Sequence, residues 1–236
     1  MNYAIIAAGD GSRLVSEGIS TPKPLINLDG RPMILRLISI FMAMKAEAIS
    51  VIVNEHMTAV REYLEFLKAV LPFDNLNIVV KSTPSSMHSF MEVSKIFPEG
   101  SKFILTTVDT IFRGEEFVRY VETFENAGPE IDGLMGVTTY IEDEKPLYVD
   151  VDADGRITGY KDEPFEGVKY ISAGVYGLTT KALDVLDDCI DLGMSRMRNY
   201  QRALVKSGLN LRAFDLGKVL DVDHASDIQI AKDFLK

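Results

Sequence analysis

Tyr3-Ala4-Ile5-Ile6-Ala7-Ala8-Gly9-Asp10-Gly11-Ser12-Arg13-Leu14 is the stretch whose reading decides the fold. Tyr3–Ala8 is an unbroken apolar run, as a strand buried on both faces requires, and it ends in two glycines separated by one residue. Glycines at the carboxyl end of a first strand let backbone N–H groups close around phosphate oxygens. Ala8, Gly9, Asp10, Gly11, Ser12 and Arg13 are therefore candidate phosphate and nucleotide contacts. Two common glycine motifs do not fit. A dinucleotide fingerprint needs glycine where Leu14 stands, and a second strand much sooner than Ile49. A P-loop needs Gly-Lys-Ser/Thr at its end, and the chain has none there.

Beyond the glycine loop the chain reads Thr21-Pro22-Lys23-Pro24-Leu25. Proline on both sides predicts a stiff, extended segment that presents the Lys23 ammonium at low entropic cost. Arg13 and Lys23 thus bring two cations to one glycine loop in an otherwise acidic chain. Of 236 residues, 25 are Lys or Arg and 35 Asp or Glu, a net charge of −10. That balance, with no basic run, argues against nucleic-acid binding through phosphate contacts, but not against a single nucleotide. The lone Cys189 has no disulfide or zinc partner in the chain. The apolar stretches fall short of the ~20 residues a membrane span needs, and the first has no basic residues before it. A cytoplasmic protein with no membrane partner is expected.

Outward from the glycine loop, β-rich and helical patterns alternate. Helical periodicity covers Pro32–Ala46, Thr58–Val70, Ser86–Ile96 and Glu115–Phe124, between strands at Ile49–Val53, Leu76–Val80 and Phe103–Val108. This alternation predicts a parallel sheet covered on both faces. The second half is richer in β-structure: Ile131–Thr139, Leu147–Val151, Arg156–Tyr160 with an Asp154-Gly155 turn, and Tyr170–Leu178. Helices at Lys181–Asp191 and Ser195–Ser207, short β-runs at Leu211–Phe214 and Lys218–Val222, and a helix from Ser226 complete the chain. No linker divides it, so one domain, 1–236, is expected.

Asp109 follows an apolar strand that ends on the same sheet edge as the glycine loop. Asp-Val-Asp occurs at 150–152 and at 221–223, and strand alternation would point both aspartates of a triplet to one face. The first copy precedes an Ala-Asp-Gly hairpin and reads as a solvated edge. His224 reads as a loop or helix-entry residue rather than a ligand. Ser82-Thr83-Pro84-Ser85-Ser86-Met87-His88-Ser89 enters a helix, and hydroxyls there, Ser86 among them, suit either a base edge or ordinary capping.

Gly9-Asp10-Gly11-Ser12-Arg13-Leu14 with Pro22-Lys23-Pro24-Leu25 resembles the signature of nucleotidyltransferases that make nucleotide sugars, the sugar-1-phosphate pyrophosphorylases. The likeness continues through Leu105-Thr106-Thr107-Val108-Asp109-Thr110-Ile111-Phe112, Ser172-Ala173-Gly174-Val175-Tyr176 and Leu220-Asp221-Val222-Asp223. It implies a Rossmann-like three-layer α/β sandwich with a mixed, mostly parallel central sheet. The nucleotide-binding half would cover about 1–112 and the acceptor-binding half about 113–236. It further implies Mg²⁺ on Asp109 and on Asp221, with Asp223 as second candidate, since Mg²⁺ takes one or two carboxylates plus substrate phosphates. Arg13, Lys23 and Asp109 would be catalytic, and Gly174 would let the acceptor approach the backbone. Two departures stand out. Val108 replaces the family's usual glycine and would narrow the pocket. Tyr160-Lys161-Asp162-Glu163-Pro164 replaces a Glu-Lys-Pro element, so Lys161 is the candidate acceptor-phosphate contact.

The implied reaction moves a nucleoside monophosphate from an NTP to a sugar 1-phosphate and releases pyrophosphate. Two other readings stay open, a cytidylyltransferase acting on a phosphorylated alcohol such as phosphocholine, and a non-catalytic nucleotide sensor. A glycosyltransferase using Asp-x-Asp would leave Arg13 and Lys23 without a role. The base, the acceptor and any homo-oligomer are not readable from these residues.

Overall fold

The first strand is apolar at every position because both of its faces are covered. In the computed structural model, which describes residues 1–141 and 144–236, β1 (Asn2–Ala7) is buried along its length. Side chains alternate across a strand, so Tyr3, Ile5 and Ala7 enter one core and Ala4 and Ile6 the other. The first half of the chain continues through α1 (Ser12–Ser16), a 3-10 turn (Lys23–Leu25), β2 (Asn27–Leu28), β3 (Arg31–Pro32), α2 (Met33–Ala43), β4 (Ala48–Val53), α3 (Thr58–Val70), β5 (Leu76–Val80), α4 (Ser86–Ser94), β6 (Lys102–Thr107), β7 (Thr110–Ile111) and α5 (Gly114–Glu125). The second half adds β8 (Gly133–Thr138), β9 (Tyr148–Val151), β10 (Ile157–Lys161), β11 (Tyr170–Thr179), α6 (Lys181–Asp191), α7 (Met197–Lys206), β12 (Leu211–Asp215), β13 (Leu220–Asp221) and α8 (Ala225–Leu235).

Nine strands form the main sheet in the order β10-β9-β11-β6-β1-β4-β5, with β8 also on β11 and β12 on β8. The β5-β4-β1-β6 portion is parallel. β11 then pairs antiparallel with β6 on one side and with β8 and β9 on the other. The expected α/β sandwich with a mixed central sheet is the fold observed. Helices α2, α3 and α5 bury apolar faces in the first core, where Tyr3 stacks on Phe41 with ring centroids 4.4 Å apart. Helices α4, α6 and α7 cover the opposite face through Phe90, Leu186 and Tyr200. In α3 the buried residues are Val60, Leu64 and Leu67, the stripe that a 3.6-residue period dictates.

Local departures from expectation have local causes. The expected helix 32–46 is Met33–Ala43, with Pro32 as N-cap and Lys45 at φ 54° beyond its end. The β-run expected over 218–222 shrinks to two residues, because its partner β7 is itself two residues long.

Edge strand β10 is clamped to α7. Just beyond it, Asp162 accepts hydrogen bonds from Arg198 Nη1 at 2.6 Å and pairs with Arg202 Nη2 at 2.7 Å. The Arg202 hydrogen bond, seconded by Arg198, holds the Asp162 carboxyl below its ordinary value. A pKa lowered by folding contributes stability above the unfolded pKa, which is lost as pH falls through the folded value. Asp162→Asn is therefore expected to lower Tm slightly at neutral pH, by about 0.5 kcal/mol or less because the carboxylate is exposed. Thermal melts of variant and wild type should converge at the acid end of a pH series.

Candidate active site

The glycine loop leaves β1 over the carboxyl ends of the parallel strands. Gly9 faces open space where a side chain would begin. Gly11 has φ +60°, and a Cβ there would lie 3.4 Å from the Lys23 Cβ, so the loop rests against that lysine. Leu14, the residue that excluded a dinucleotide fingerprint, is buried and anchors α1. Asp10 is fixed by Asn54 Nδ2 at 3.0 Å, from just past β4. Asn54 in turn accepts from the His56 N–H and the Ser82 hydroxyl, which ties the ends of β4 and β5 to the loop.

Lys23 does not sit in the extended segment expected of Pro-Lys-Pro. The Pro22 carbonyl accepts the Leu25 N–H at 2.8 Å, which closes a 3-10 turn starting at Lys23. Pro24 falls within the first turn, where its missing N–H loses no bond. The prolines still serve presentation, because the turn aims the Lys23 ammonium inward, 10% exposed. Its Nζ lies 2.5 Å from Asp109 Oδ2 and 2.6 Å from Asp223 Oδ1. Burial opposes the charge on Lys23, but the pull of Asp109 and then Asp223, with their hydrogen bonds, raises its pKa. Burial likewise opposes ionisation of Asp109, and Lys23, helped by the Thr107 hydroxyl, keeps its pKa low. Both groups are charged at neutral pH.

Asp109 follows β6 directly, where the Val108 N–H still bonds the Ile6 carbonyl. Val108 lines the cleft, but its side chain is largely packed into the core. Asp223 arrives from the β13 end. Val222 is fully buried, and its N–H bonds the Asp109 carbonyl at 3.2 Å, so Asp221 and Asp223 point away from the core as alternation requires. They do not share a role in this geometry. Asp223 joins Asp109 on Lys23 and also receives Arg13 Nη1 at 2.9 Å. Asp221, expected to be the principal second carboxylate, instead accepts from the Thr110 hydroxyl at 3.3 Å. His224 caps α8 in a reciprocal capping box with Asp227. The 150–152 triplet is spent on a turn, where Asp152 accepts the Asp154 and Arg156 N–H groups.

Two compartments open on either side of Asp109. The first, of about 490 Å³, is lined by the loop from Ala8 to Arg13, Lys23, Asn54 and Thr83–Ser86. The second, of about 290 Å³, is lined by Ser172, Gly174, Gln201, Asp221, Lys145, Arg196 and Arg198, among others. Ser86, Thr107, Asp109 and Asp223 line both. Lys161 lines neither. It lies on edge strand β10, bonded to Asp150 Oδ2 at 3.1 Å and set over the Phe165 ring at 3.8 Å. The cations of the second compartment are Lys145, Arg196 and Arg198 instead, scattered residues that no motif marks.

Gly174 belongs to the second compartment for a reason of backbone geometry. It has φ +71°, within a register shift between Ser172 and Tyr176, and a Cβ there would come within 2.8 Å of the Thr110 Oγ1. Gly174→Ala combines left-handed strain with that clash. It is expected to cost about 1–3 kcal/mol, lowering Tm by several degrees, and a thermal melt equal to wild type would contradict this account.

A glycine loop and a carboxylate at the carboxyl ends of parallel strands, with a largely buried lysine and a second carboxylate closing on them, are the parts of an α/β phosphate site. The chain belongs to the nucleotidyl transferase family, which it matches over residues 3–229, and it is accordingly a nucleotidyltransferase. A 2-aminoethylphosphonate cytidylyltransferase from Lancefieldella rimae is 33% identical to it over 103 residues, covering 44% of this chain and 41% of that relative. Among solved structures, an inositol-1-phosphate CTP transferase from T. maritima aligns with TM-score 0.79 at 20% identity, covering 100% of this chain and 97% of the other. A candidate glucose-1-phosphate thymidylyltransferase from Bacillus anthracis, in complex with sucrose, aligns with TM-score 0.82 at 18% identity, covering 99% and 94%. These structural likenesses are likenesses of fold. Among the described residues no helix is long and apolar enough to cross a membrane.

Proposed function

We propose that the chain transfers a cytidylyl group from CTP to a small acceptor bearing a phosphate or phosphonate, releasing pyrophosphate. The observation that carries this reading is the shared wall of Ser86, Thr107, Asp109 and Asp223. Two anionic ligands, one per compartment, would meet there. An acceptor other than a hexose 1-phosphate is favoured by Lys161, which is occupied by Asp150 and Phe165 away from both compartments. CTP is favoured by the activities named for the Lancefieldella rimae and T. maritima proteins. Transfer to a sugar 1-phosphate is the second reading, supported by the fold likeness to the Bacillus anthracis protein.

In the proposed reaction an acceptor oxygen attacks the α-phosphorus. A P–O bond forms there as the bond to the β-phosphate breaks, and pyrophosphate takes the electron pair. A phosphate monoester has a second pKa of about 6, so the nucleophile needs no strong base. Rate must then come from alignment and charge neutralisation. The Gly9–Ser12 backbone and Arg13 would hold the departing pyrophosphate, Lys23 would offset charge at the α-phosphate, and Ser86 would contact the nucleotide at the shared wall. Mg²⁺ fits this donor set. Asp109 and Asp223 converge on a single cationic point, the Lys23 ammonium, as a pair of carboxylates. That leaves positions for phosphate oxygens, as Mg²⁺ prefers. Asp109 and Asp223 would hold it, with Asp221 nearby, and when bound it would neutralise phosphate charge.

Pyrophosphate release, scanned over the four ribonucleotides and dTTP against sugar phosphates, inositol phosphate, phosphocholine and 2-aminoethylphosphonate, tests the reading. CTP with a non-hexose acceptor is the expected pair, and dTTP with a hexose 1-phosphate would establish the second reading. Lys23→Ala is expected to lower kcat roughly 10²–10³-fold on the active pair. Unchanged turnover would remove Lys23 from the mechanism.

A further inference from the structure

Arg196 combines two features that neither the family signature nor the sequence pattern assigns. Its backbone has φ 72° and ψ 137° at the N-cap of α7, the largest positive φ of any non-glycine residue described; the others are Asp29 at 50° and Lys45 at 54°. Glycine takes a positive φ without a Cβ penalty, as Gly193 does three residues earlier at φ 69°. A side chain kept where glycine would be easier needs a reason, and such outliers gather at binding sites.

The second feature is what that side chain meets. Arg196 lines the acceptor compartment together with Asp109, Ser172 and Gln201. Its neighbour Arg198 is committed, to Asp162 Oδ1 at 2.6 Å and to the Lys145 carbonyl at 2.9 Å. No ion-pair partner for the Arg196 guanidinium is found among the described residues, in a chain of net charge −10. The backbone on either side is fixed. Met197 is buried against the second core, and the Arg196 N–H reaches the Ser85 hydroxyl at 3.4 Å. Ser85 lines the nucleotide compartment and also bonds His88 Nδ1 at 2.9 Å. The strained residue is thus tied to the loop that walls the other substrate.

We propose that Arg196 is an acceptor-binding residue, its guanidinium paired with the acceptor's phosphate or phosphonate, and that the left-handed backbone sets its aim. This rests on the reading that a phosphorylated or phosphonylated acceptor occupies the second compartment. A guanidinium fork suits two oxygens of such a group at once.

Steady-state kinetics of Arg196→Ala, Arg196→Lys and Arg196→Gly test it, each with a thermal melt. Arg196→Ala should raise the acceptor KM about 10–100-fold, the loss expected for hydrogen bonds to a charged group, with the CTP KM within twofold of wild type. Arg196→Lys should fall between, keeping the charge but losing the fork. Arg196→Gly should lose acceptor affinity as Arg196→Ala does, yet melt at or above the wild-type temperature, because glycine relieves the backbone. An acceptor KM within twofold of wild type in Arg196→Ala overturns the proposal, as does a parallel rise in both KM values. A wrong base or acceptor class shows in the wild-type panel, and the comparison then runs with whichever phosphorylated acceptor turns over. If none does, methylphosphonate is titrated into the protein–CTP complex. No binding by wild type, or equal binding by Arg196→Ala, is then the overturning result.

Discussion

One ammonium group joins the parts of the cleft. Lys23 contacts Asp109, 86 positions away in sequence, and Asp223, 200 positions away. It therefore links the 3-10 turn that carries it, the end of β6 and the segment between β13 and α8. Two carboxylates converging in a partly buried site repel each other and lose hydration. A cation between them converts that repulsion into attraction that holds three segments in register. The prolines around Lys23 supply the turn that aims it, and Gly11 supplies the room for the loop to lie against its Cβ.

The second compartment depends on another constraint, the irregularity of β11. That strand pairs with β6 on one edge, while its other edge divides between β8 and β9. A register shift absorbs the division, and Gly174 lies within it with its α-carbon close against Thr110. Thr110 in turn carries β7, the partner of β13, and bonds both the Thr107 hydroxyl and Asp221. The bulge and the carboxylates are thus parts of one packed corner: a side chain at Gly174 would press on Thr110 and meet Thr107, whose hydroxyl bonds Asp109.

What the sequence revealed and what it hid differ in physical kind. The strand–helix alternation, the two-faced burial of β1, the glycine loop, Lys23 and Asp109 were legible because each is a local pattern with a local cause. The place of Lys161 was hidden: it lies on a sheet edge outside both compartments, bonded to Asp150 and set over the Phe165 ring. The order of Asp221 and Asp223 was hidden too. Alternation gives both the same face, and only the approach of Lys23 and Arg13 separates them. Arg196 left no signal at all, since a positive φ is announced in sequence by glycine and here the residue is arginine.

The distribution of charge gives the cleft its chemical direction. Arg13 stands in the first compartment, Arg196 and Arg198 in the second, and the carboxylates of Asp109 and Asp223 on the wall between. Two phosphate-bearing substrates would be drawn to the cations on their own sides, and their reacting groups would meet over the acids. There the single charge of Lys23 faces two carboxylates and two incoming phosphates. Coulomb repulsion between such groups is strong at reduced dielectric. In the proposed reaction Asp109 and Asp223, now bonded to Lys23, would hold a divalent ion that supplies the further positive charge. The ion pair that organises the free site would then be the one that substrate binding rearranges.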